Sequence, residues 1–363
     1  MSRNAFTLHS LRGSVPYMLD QLHRVDRWLT ATLGALIMIS MVPTAPAVTR
    51  HVVVVSSHQS VLTPAQIRYD SLLACPTTLD QIGRVVIPVK INGLGPFRFV
   101  IDTGANHSAI SARVALLLNV KSKMHTRVEL EGITGSNITR ALKIRTIQAG
   151  ALTIRNVFVP VIDTPMMAGA DGILGLAGFP SISLFVNFPH NRVEITRTLT
   201  PGVRFDYSRI HTETVAGGLM AVPAYVKNIR TLAIIDTGSE RTLGNIALRS
   251  ALHMQPDIGK PESITVVFGA TNQIEIGRLA RSPPISVGSL RVLGAEIIFG
   301  NFHIFKIWKL DQRPAIILGM DILGTVNALG FDFKQHELFV DRKIRFRSSN
   351  FDMQTYQVST KIH

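Results

Sequence analysis

The chain contains two segments of the same design, and this duplication constrains the fold more than any other feature of the sequence. The first segment begins RVVIPVKINGLGPFRFVIDTGANHSAISARVALLL (84–118), and the second begins GLMAVPAYVKNIRTLAIIDTGSERTLGNIALRSAL (218–252). Each holds a β-type run with a proline, a turn, an apolar strand that ends in Asp-Thr-Gly, and a stretch of helical character. Ser111 and Asn245 are placed to cap the two helices.

The likeness between the copies continues after the helices. Each copy alternates in β fashion around a glycine-rich tip, over 127–162 in the first and 263–300 in the second. Each then ends on an apolar pair before glycine and a final strand, namely GILGLAGF (172–179) with VNFPHNRVEI (186–195), and IILGMDILG (316–324) with LGFDFKQHELFV (329–340). Two copies of about 115 residues, rich in short strands, predict an all-β protein. We expect two pseudo-symmetric β-barrel lobes with a cleft between them and a few short helices.

The duplication also predicts the domain boundaries. The N-terminal lobe is expected at 81–196 and the C-terminal lobe at 215–345, joined by a polar and irregular linker at 197–214. Residues 48–80 form an N-terminal extension, which is either a propeptide that masks the cleft or a source of an extra strand. Residues 346–363 form a C-terminal tail.

Residues 1–47 have the order of parts of a targeting segment. Arginines form a basic leader, LGALIMISMV (33–42) is an unbroken apolar run, and Ala-Pro-Ala (45–47) offers a cleavage site, as in a signal peptide. The stretch 28–48 is also about long enough for an uncleaved membrane anchor. In either case we expect an exported protein, which is periplasmic, secreted or held at the membrane by this segment.

The composition excludes several classes of protein. A hydrophobic content of 46% supports packed cores rather than disorder, and the single Cys75 excludes an intramolecular disulfide. The formal net charge is +14, but lysines and arginines such as Arg84, Lys90 and Arg98 are scattered, as on a solvated basic surface. Such a surface is attracted to anionic membranes. Because no nucleic-acid-binding signature is present, we expect no nucleic-acid partner.

The repeated Asp-Thr-Gly places Asp102 and Asp236 at the same point of each copy. One such tripeptide arises by chance in about 6% of chains of this length, so only the second copy makes the motif informative. A carboxylate that ends an apolar strand must be hydrogen-bonded, and glycine lets the chain turn its N–H groups toward it. Two such loops, brought together, share one proton. That pair can activate a water and polarise a carbonyl, which is general acid–base hydrolysis.

With these loops the chain resembles the aspartic peptidases over residues 84–340. FVIDTGA and AIIDTGS are similar to the two active-site loops of that family, and GILGL and IILGM to its paired segments behind the loops. The resemblance implies an endopeptidase that acts on protein or peptide substrates without a cofactor, with Asp102 and Asp236 as its dyad. It also implies that the dyad is supported by Thr103, Gly104, Thr237, Gly238 and Ser239.

The resemblance further implies a flap over the cleft at the glycine-rich tip EGITGSN (131–137). Its substrate-contacting residues would be Gly132, Ile133, Thr134 and Gly135. Pepsin-like members carry a tyrosine in this hairpin and usually have disulfides, and this chain has neither. The compact lobes are more similar to two fused retropepsin-like units, as in bacterial exported aspartic peptidases.

The two loops differ in the residue after glycine, which is Ala105 in the first and Ser239 in the second. A serine hydroxyl at this position can donate to its carboxylate and so stabilise the ionised form. We therefore expect Asp236 to be the more readily ionised member of the dyad.

Several other residues invite a functional interpretation, but their local chemistry favours a structural one. Asp163 begins an Asp-Thr-Pro outside the repeat register, where proline cannot replace glycine, so we expect an ordinary turn. His107 is expected in the loop or behind the dyad, Asp171 and Asp321 at turns or caps, and Trp308 in the core. The histidines show no metal-ligand spacing, so no metal site is predicted.

Two alternatives stay open. The chain could be a catalytically silent relative, a binding or scaffold protein of the cell envelope that keeps the fold and the cleft. Each copy could also pair with its counterpart in a neighbouring molecule. Because one chain carries both copies, pairing within it avoids the entropy cost of association, and a monomer is expected.

Overall fold

The structure is a computed structural model, and it describes residues 53–56, 71–120, 125–176, 181–197, 207–254 and 263–341. The predicted targeting segment and the C-terminal tail lie outside the described residues. Within them the chain folds mainly into β-strands with a few short helices, which confirms the predicted all-β class. No helix in these ranges is long and apolar enough to span a bilayer.

Both halves of the chain consist of short strands that follow one another closely. The strands of the first half are β1 (Val53–Ser56), β2 (Ser71–Pro76), β3 (Thr78–Leu79), β4 (Val85–Ile91), β5 (Leu94–Asp102), β6 (Ala109–Ser111), β7 (His125–Gly132), β8 (Gly135–Ala149), β9 (Leu152–Ile162), β10 (Gly172–Gly175), β11 (Ser183–Asn187) and β12 (Arg192–Thr196). Those of the second half are β13 (Tyr207–His211), β14 (Glu213–Val215), β15 (Leu219–Val226), β16 (Ile229–Ile235), β17 (Leu243–Asn245), β18 (Ser263–Phe268), β19 (Ile274–Arg281), β20 (Ile285–Val287), β21 (Leu290–Leu293), β22 (Glu296–Gly300), β23 (Ala315–Leu318), β24 (Ala328–Asp332) and β25 (Glu337–Asp341). The α-helices are α1 (Ala112–Leu118), α2 (Ile246–Ala251), α3 (His303–Ile307) and α4 (Met320–Leu323).

The first lobe is a closed barrel. Its sheet has the order β3-β4-β5-β10-β6-β9-β8-β7, and β4 also pairs with β8, so that the strands between them close on themselves. The hairpin from β4 to β5 turns at Asn92 and Gly93, whose φ angles of 50° and 85° suit a tight turn with two left-handed central residues. From Ile87 to Ile91 alternate side chains are buried in the barrel, as the period of a strand requires.

The second lobe repeats this order with one interruption. Its strands β15-β16-β23-β17-β22-β19 correspond to β4-β5-β10-β6-β9-β8 of the first lobe. Where β8 runs unbroken for 15 residues, the second lobe stops β19 at Arg281 and starts β20 at Ile285. Pro283 and Pro284 lie between them and have no N–H to donate to a sheet. β20 then completes the wall of the lobe by pairing with β15.

A third sheet joins the lobes, in the order β13-β25-β24-β11-β12-β2. The segments 186–195 and 329–340, each predicted as one strand, instead span the hairpins of β11 with β12 and of β24 with β25. The chain turns at Pro189 and the left-handed Asn191 (φ 45°) in the first hairpin, and at the left-handed His336 (φ 54°) in the second. β13 lies in the predicted linker and pairs with β25. β2 lies in the N-terminal extension and pairs with β12, so this extension supplies an extra strand.

Both predicted helix caps are confirmed. The Ser111 side chain accepts a hydrogen bond from Val114 N at 3.2 Å at the start of α1. The Asn245 side chain accepts one from Leu248 N at 2.8 Å at the start of α2. Each helix therefore begins at the same point after its Asp-Thr-Gly loop, which keeps the two loops alike.

Candidate active site

The two Asp-Thr-Gly loops follow corresponding strands of the two lobes. Asp102 is the last residue of β5, and Asp236 comes directly after β16. The short strands β10 and β23 run parallel to β5 and β16 and pass behind the loops. They hold the aspartates through the backbone, since Leu176 N donates to Asp102 O at 3.0 Å and Asp236 N donates to Leu318 O at 3.1 Å. These are the apolar-glycine segments that the sequence places behind the loops.

The two threonines lock the loops together across the lobes. Thr103 N donates to Thr237 Oγ1, and Thr237 N donates to Thr103 Oγ1, each at 3.1 Å. The hydroxyl of Thr103 donates to Ile235 O at 2.7 Å, and that of Thr237 donates to Ile101 O at 2.8 Å. Both threonines are fully buried, so these bonds are made away from water. The interlock brings the two aspartates to one place.

The glycines of the motif allow the two carboxylates to approach. Gly104 N donates to Asp102 Oδ1 at 2.7 Å, and Gly238 N donates to Asp236 Oδ1 at 2.8 Å. A Cβ on Gly104 would overlap the carboxyl group of Asp236, and a Cβ on Gly238 would overlap that of Asp102. Each carboxyl group therefore lies against the opposite loop, and only glycine leaves room for it.

Burial and mutual repulsion make the two carboxyl groups unequal. Burial raises the pKa of Asp102, although hydrogen bonds from the Gly104 N–H and the charge of Arg84 oppose this. Burial also raises the pKa of Asp236 well above its usual range, and the negative charge of Asp102 raises it further. The pair therefore shares one proton, and the stronger rise in the pKa of Asp236 favours the proton there and the negative charge on Asp102.

This order is the reverse of the sequence expectation, which was wrong. The Ser239 hydroxyl donates to Arg241 O at 2.8 Å and so has no proton left for the carboxylate. Ser239 still supports the loop, because its backbone N–H donates to Asp236 Oδ1 at 3.0 Å. The identity of the side chain after glycine therefore does not set which carboxyl group ionises first.

Arg84 was expected on a solvated surface, and this expectation was also wrong. Its side chain is 1% exposed, with Nε donating to Asp80 Oδ2 at 2.7 Å. Nη1 donates to Gly238 O and Nη2 to Met167 O, both at 3.3 Å. Arg84 thus joins the first lobe to the second Asp-Thr-Gly loop. The one local signal is its position four residues after Asp80, which fits a turn-bound ion pair.

The predicted flap is the hairpin of β7 and β8. Gly132 and Gly135 pair across its tip, with Ile133 and Thr134 in the turn between them. The tip touches a second hairpin, that of β18 and β19, which reasoning from sequence did not assign to the site. The Thr134 and Thr271 hydroxyls share a hydrogen bond at 3.1 Å, and both residues are buried. The position of 268–274 in the second copy matches 131–137 in the first, and this signal could have found it.

Two further contacts hold the flap tips in place. Thr164 Oγ1, from the middle residue of the Asp-Thr-Pro tripeptide, donates to Gly269 O at 3.0 Å. His303 Nε2 of α3 lies 2.7 Å from Glu131 Oε2 at the end of β7. The first hairpin is therefore bound to the second lobe, both through the tip of the second hairpin and through α3.

The remaining residues have the structural roles expected of them. His107 is an exposed loop residue whose Nδ1 lies 2.9 Å from Asn106 Oδ1. Asp171 is paired with Arg113 and accepts a hydrogen bond from Arg98 N, and Asp321 accepts two from Thr242. Trp308 is half-buried, packs against a core cluster and meets the ring of Phe305 edge-on. In the described ranges no three His, Cys, Asp or Glu side chains gather as metal ligands.

Comparisons with known proteins support the class of site. The family model described as "Aspartyl protease" matches residues 87–177, from β4 through the first Asp-Thr-Gly loop and the flap to β10. No curated protein matches the chain. The crystal structure of basic 7S globulin from soybean is similar with a TM-score of 0.43 and 10% identity, over 76% of this chain and 95% of that one. Identity this low says nothing about activity.

Proposed function

We propose that the protein is an aspartic-type endopeptidase in which Asp102 and Asp236 activate a water for attack on a peptide bond. The observation that carries this proposal is the pairing of two buried carboxyl groups, each in contact with the glycine of the opposite loop. A dyad of this kind holds one carboxylate and one carboxylic acid over a wide pH range. No metal and no covalent intermediate is required for the reaction.

The unequal carboxyl groups divide the chemical roles. Asp102, which is ionised first, takes a proton from the water as it attacks the peptide carbonyl carbon. Asp236, which holds the proton, donates to the carbonyl oxygen as negative charge develops there. The proton gained by Asp102 then passes to the leaving nitrogen when the C–N bond breaks, and the hydroxyl formed from the carbonyl oxygen returns its proton to Asp236, which restores the dyad. The loop glycine and Ser239 N–H groups stabilise the carboxylates between these steps.

The two hairpins whose tips meet suggest the form of the substrate if they act as flaps over the dyad. A chain threaded between the dyad and the tips of the two hairpins would be extended, since both walls are β-structure. The Thr134–Thr271 contact must open to admit it. We therefore propose protein or peptide segments in extended conformation as substrates, bound under both flaps.

The wider setting is part of the same proposal. The apolar run 33–42 and the site at 45–47 support export to the periplasm or the exterior, or retention at the membrane by an uncleaved anchor. A net charge of +14 supports loose attraction to an anionic membrane surface. Both halves of the dyad come from one chain, which supports a monomer.

The test is cleavage of a mixed peptide library by the purified full-length chain, from about pH 3 to about pH 8, with products read by mass spectrometry. Asp102→Asn is the matched control, because it keeps the shape of the side chain and removes the base. Cleavage by the wild type that the variant loses supports the peptidase. Equal cleavage by both, or cleavage by neither, rejects it, and in the second case retained peptide binding would favour the silent binding protein.

A further inference from the structure

The environment of the dyad is not symmetric, and Arg84 is the clearest departure from the repeat. The pairing of β4 with β5 and of β15 with β16 aligns Val86 with Ala221, and therefore Arg84 with Leu219 of the second copy. The first lobe therefore places a buried guanidinium beside the loops where the second lobe has a buried apolar side chain. Among the described residues, Arg84 has the largest side chain that is fully buried. A buried cation is costly unless it is paired and hydrogen-bonded, so its retention at this site needs a reason.

The position of the guanidinium is fixed by three parts of the chain. Asp80, whose side chain is completely buried, accepts hydrogen bonds from Arg84 N at 2.8 Å and from Nε at 2.7 Å. Met167 O accepts from Nη2, and Gly238 O accepts from Nη1. Gly238 is the residue whose N–H donates to Asp236 and whose Cα faces the carboxyl group of Asp102. The guanidinium is therefore hydrogen-bonded to the second Asp-Thr-Gly loop, which contacts both members of the dyad.

We propose that Arg84 is a positioning residue of the dyad: it clamps the second Asp-Thr-Gly loop and, as a cation on one side of the pseudo-two-fold axis, keeps the negative charge on Asp102. This inference rests on the proposed function, because it assigns the two dyad roles. Arg84 acts on the dyad through its charge as well as through its hydrogen bond to the loop. The charge of Arg84 favours the ionised form of Asp102 and so lowers the pKa of that carboxyl group against the effect of burial.

Other charged groups near Arg84 do not replace it. Asp80 neutralises part of its charge through the direct ion pair. The charges of Arg84 and Asp80 both act on Glu240, which follows the second loop, as do those of Arg241 and Asp321. Asp236 faces Asp102, whose negative charge raises its pKa. Arg84 is thus the cation whose charge lowers the pKa of Asp102, and it does so from its position on Gly238 O.

The test removes the ion pair without leaving a buried unpaired charge. In the double variant Asp80→Asn/Arg84→Met, the titration of the dyad is followed by NMR of the aspartate carboxyl carbons and, in parallel, by the pH dependence of kcat/KM. The lower apparent pKa of the dyad, and the acid limb of the profile, should both rise by about one unit, since a nearby opposite charge is lost. Asp102→Asn and Asp236→Asn assign the signals.

Two further variants separate charge from structure. Arg84→Lys keeps the cation, but its single nitrogen cannot reach the three partners that the planar guanidinium spans, so kcat should fall while the acid limb stays near its wild-type position. The matched control is Asp171→Asn/Arg113→Met, which removes another ion pair of the first lobe and should leave both the titration and the acid limb unchanged.

The outcomes distinguish this inference from the proposed function. If Asp80→Asn/Arg84→Met lowers kcat or the melting temperature but leaves the dyad titration in place, Arg84 is only structural and the inference is overturned. If the wild type cleaves no peptide but the NMR titration shifts as expected, the proposed function fails and the role of Arg84 stands.

Discussion

Thr103 and Thr237 hold the two Asp-Thr-Gly loops together by a reciprocal exchange, in which each backbone N–H donates to the hydroxyl of the other at 3.1 Å. This exchange of hydrogen bonds explains why Asp-Thr-Gly occurs in both copies of the repeat. Each threonine completes the hydrogen bonds of the opposite loop, so neither loop is complete alone. The carboxyl groups meet because the backbones that carry them are locked in this way.

Removing one hydroxyl of the interlock should therefore destabilise the protein. Thr237→Val leaves Thr103 N without its acceptor, and we expect a loss of about 1–3 kcal/mol in the free energy of unfolding, measured with urea. Thr237→Ser keeps the hydroxyl and should recover most of this loss. Thr139→Val is the control, because it removes a single hydroxyl bond to Val161 O and should leave peptide cleavage unaffected. A similar loss of activity in both valine variants would contradict the role of the interlock.

A side chain on the second motif glycine should abolish activity. In Gly238→Ala the new Cβ would overlap the Asp102 carboxyl group, so kcat should fall by more than about 100-fold as the dyad is displaced. Gly93→Ala makes no such contact but forces alanine to a φ of +85°. That control should cost about 1 kcal/mol in stability and leave kcat in place. Full activity in Gly238→Ala would show that the carboxyl groups are further apart than the structure has them.

Replacing Asp236 by asparagine, which cannot ionise, should stabilise the fold at neutral pH. Burial and the charge of Asp102 raise the pKa of Asp236, so the folded protein holds this proton more tightly than the unfolded chain does. The carboxyl group therefore contributes stability at acidic pH that is lost as the pH rises through its folded-state pKa. Asp236→Asn should have a higher melting temperature than the wild type near neutral pH. Calorimetry across the pH range should show the difference vanish in acid, and a constant difference would contradict this assignment.

The serine after the second motif should not tune the dyad. The hydroxyl of Ser239 donates to Arg241 O, so Ser239→Ala removes a loop bond and leaves the backbone bond to Asp236. We expect the acid limb of the kcat/KM profile to keep its position, with a stability loss of about 1 kcal/mol. A shift of that limb to higher pH would mean that the hydroxyl donates to the carboxylate in the free enzyme.

The contact between the flap tips should respond to single and double substitution differently. Thr134→Val leaves the buried Thr271 hydroxyl without a partner, so the tips should open more often. Faster hydrogen exchange over 131–137 and 268–274 would report this opening. Thr134→Val/Thr271→Val replaces both hydroxyls by methyl groups and should restore slow exchange, since two apolar groups in contact leave nothing unsatisfied. Additive effects of the two substitutions would contradict a direct bond.

Much of the fold could be predicted from short-range patterns in the chain. The turn at Asn92 and Gly93, the caps at Ser111 and Asn245, and the apolar runs that end in Asp102 and Asp236 depend on neighbours a few residues away. The interruption between β19 and β20 is also local, because it follows from two consecutive prolines. The segment 186–195 was misread as one strand because apolar residues on both sides of a turn can look like a single run.

The sequence by itself therefore determined the duplication, the all-β class and the identity of the paired aspartates. A repeated motif can be recognised from the order of residues alone, without knowledge of which residues are in contact. Only the tertiary structure decided that Arg84 is buried, that the Ser239 hydroxyl turns away from the carboxylate, and that the tip of a second hairpin meets the tip of the first. Arg84 and Gly238 are 154 positions apart. Burial and hydrogen-bond direction depend on which distant groups arrive at a site, and residue type does not encode them. The same distant groups set which aspartate holds the proton.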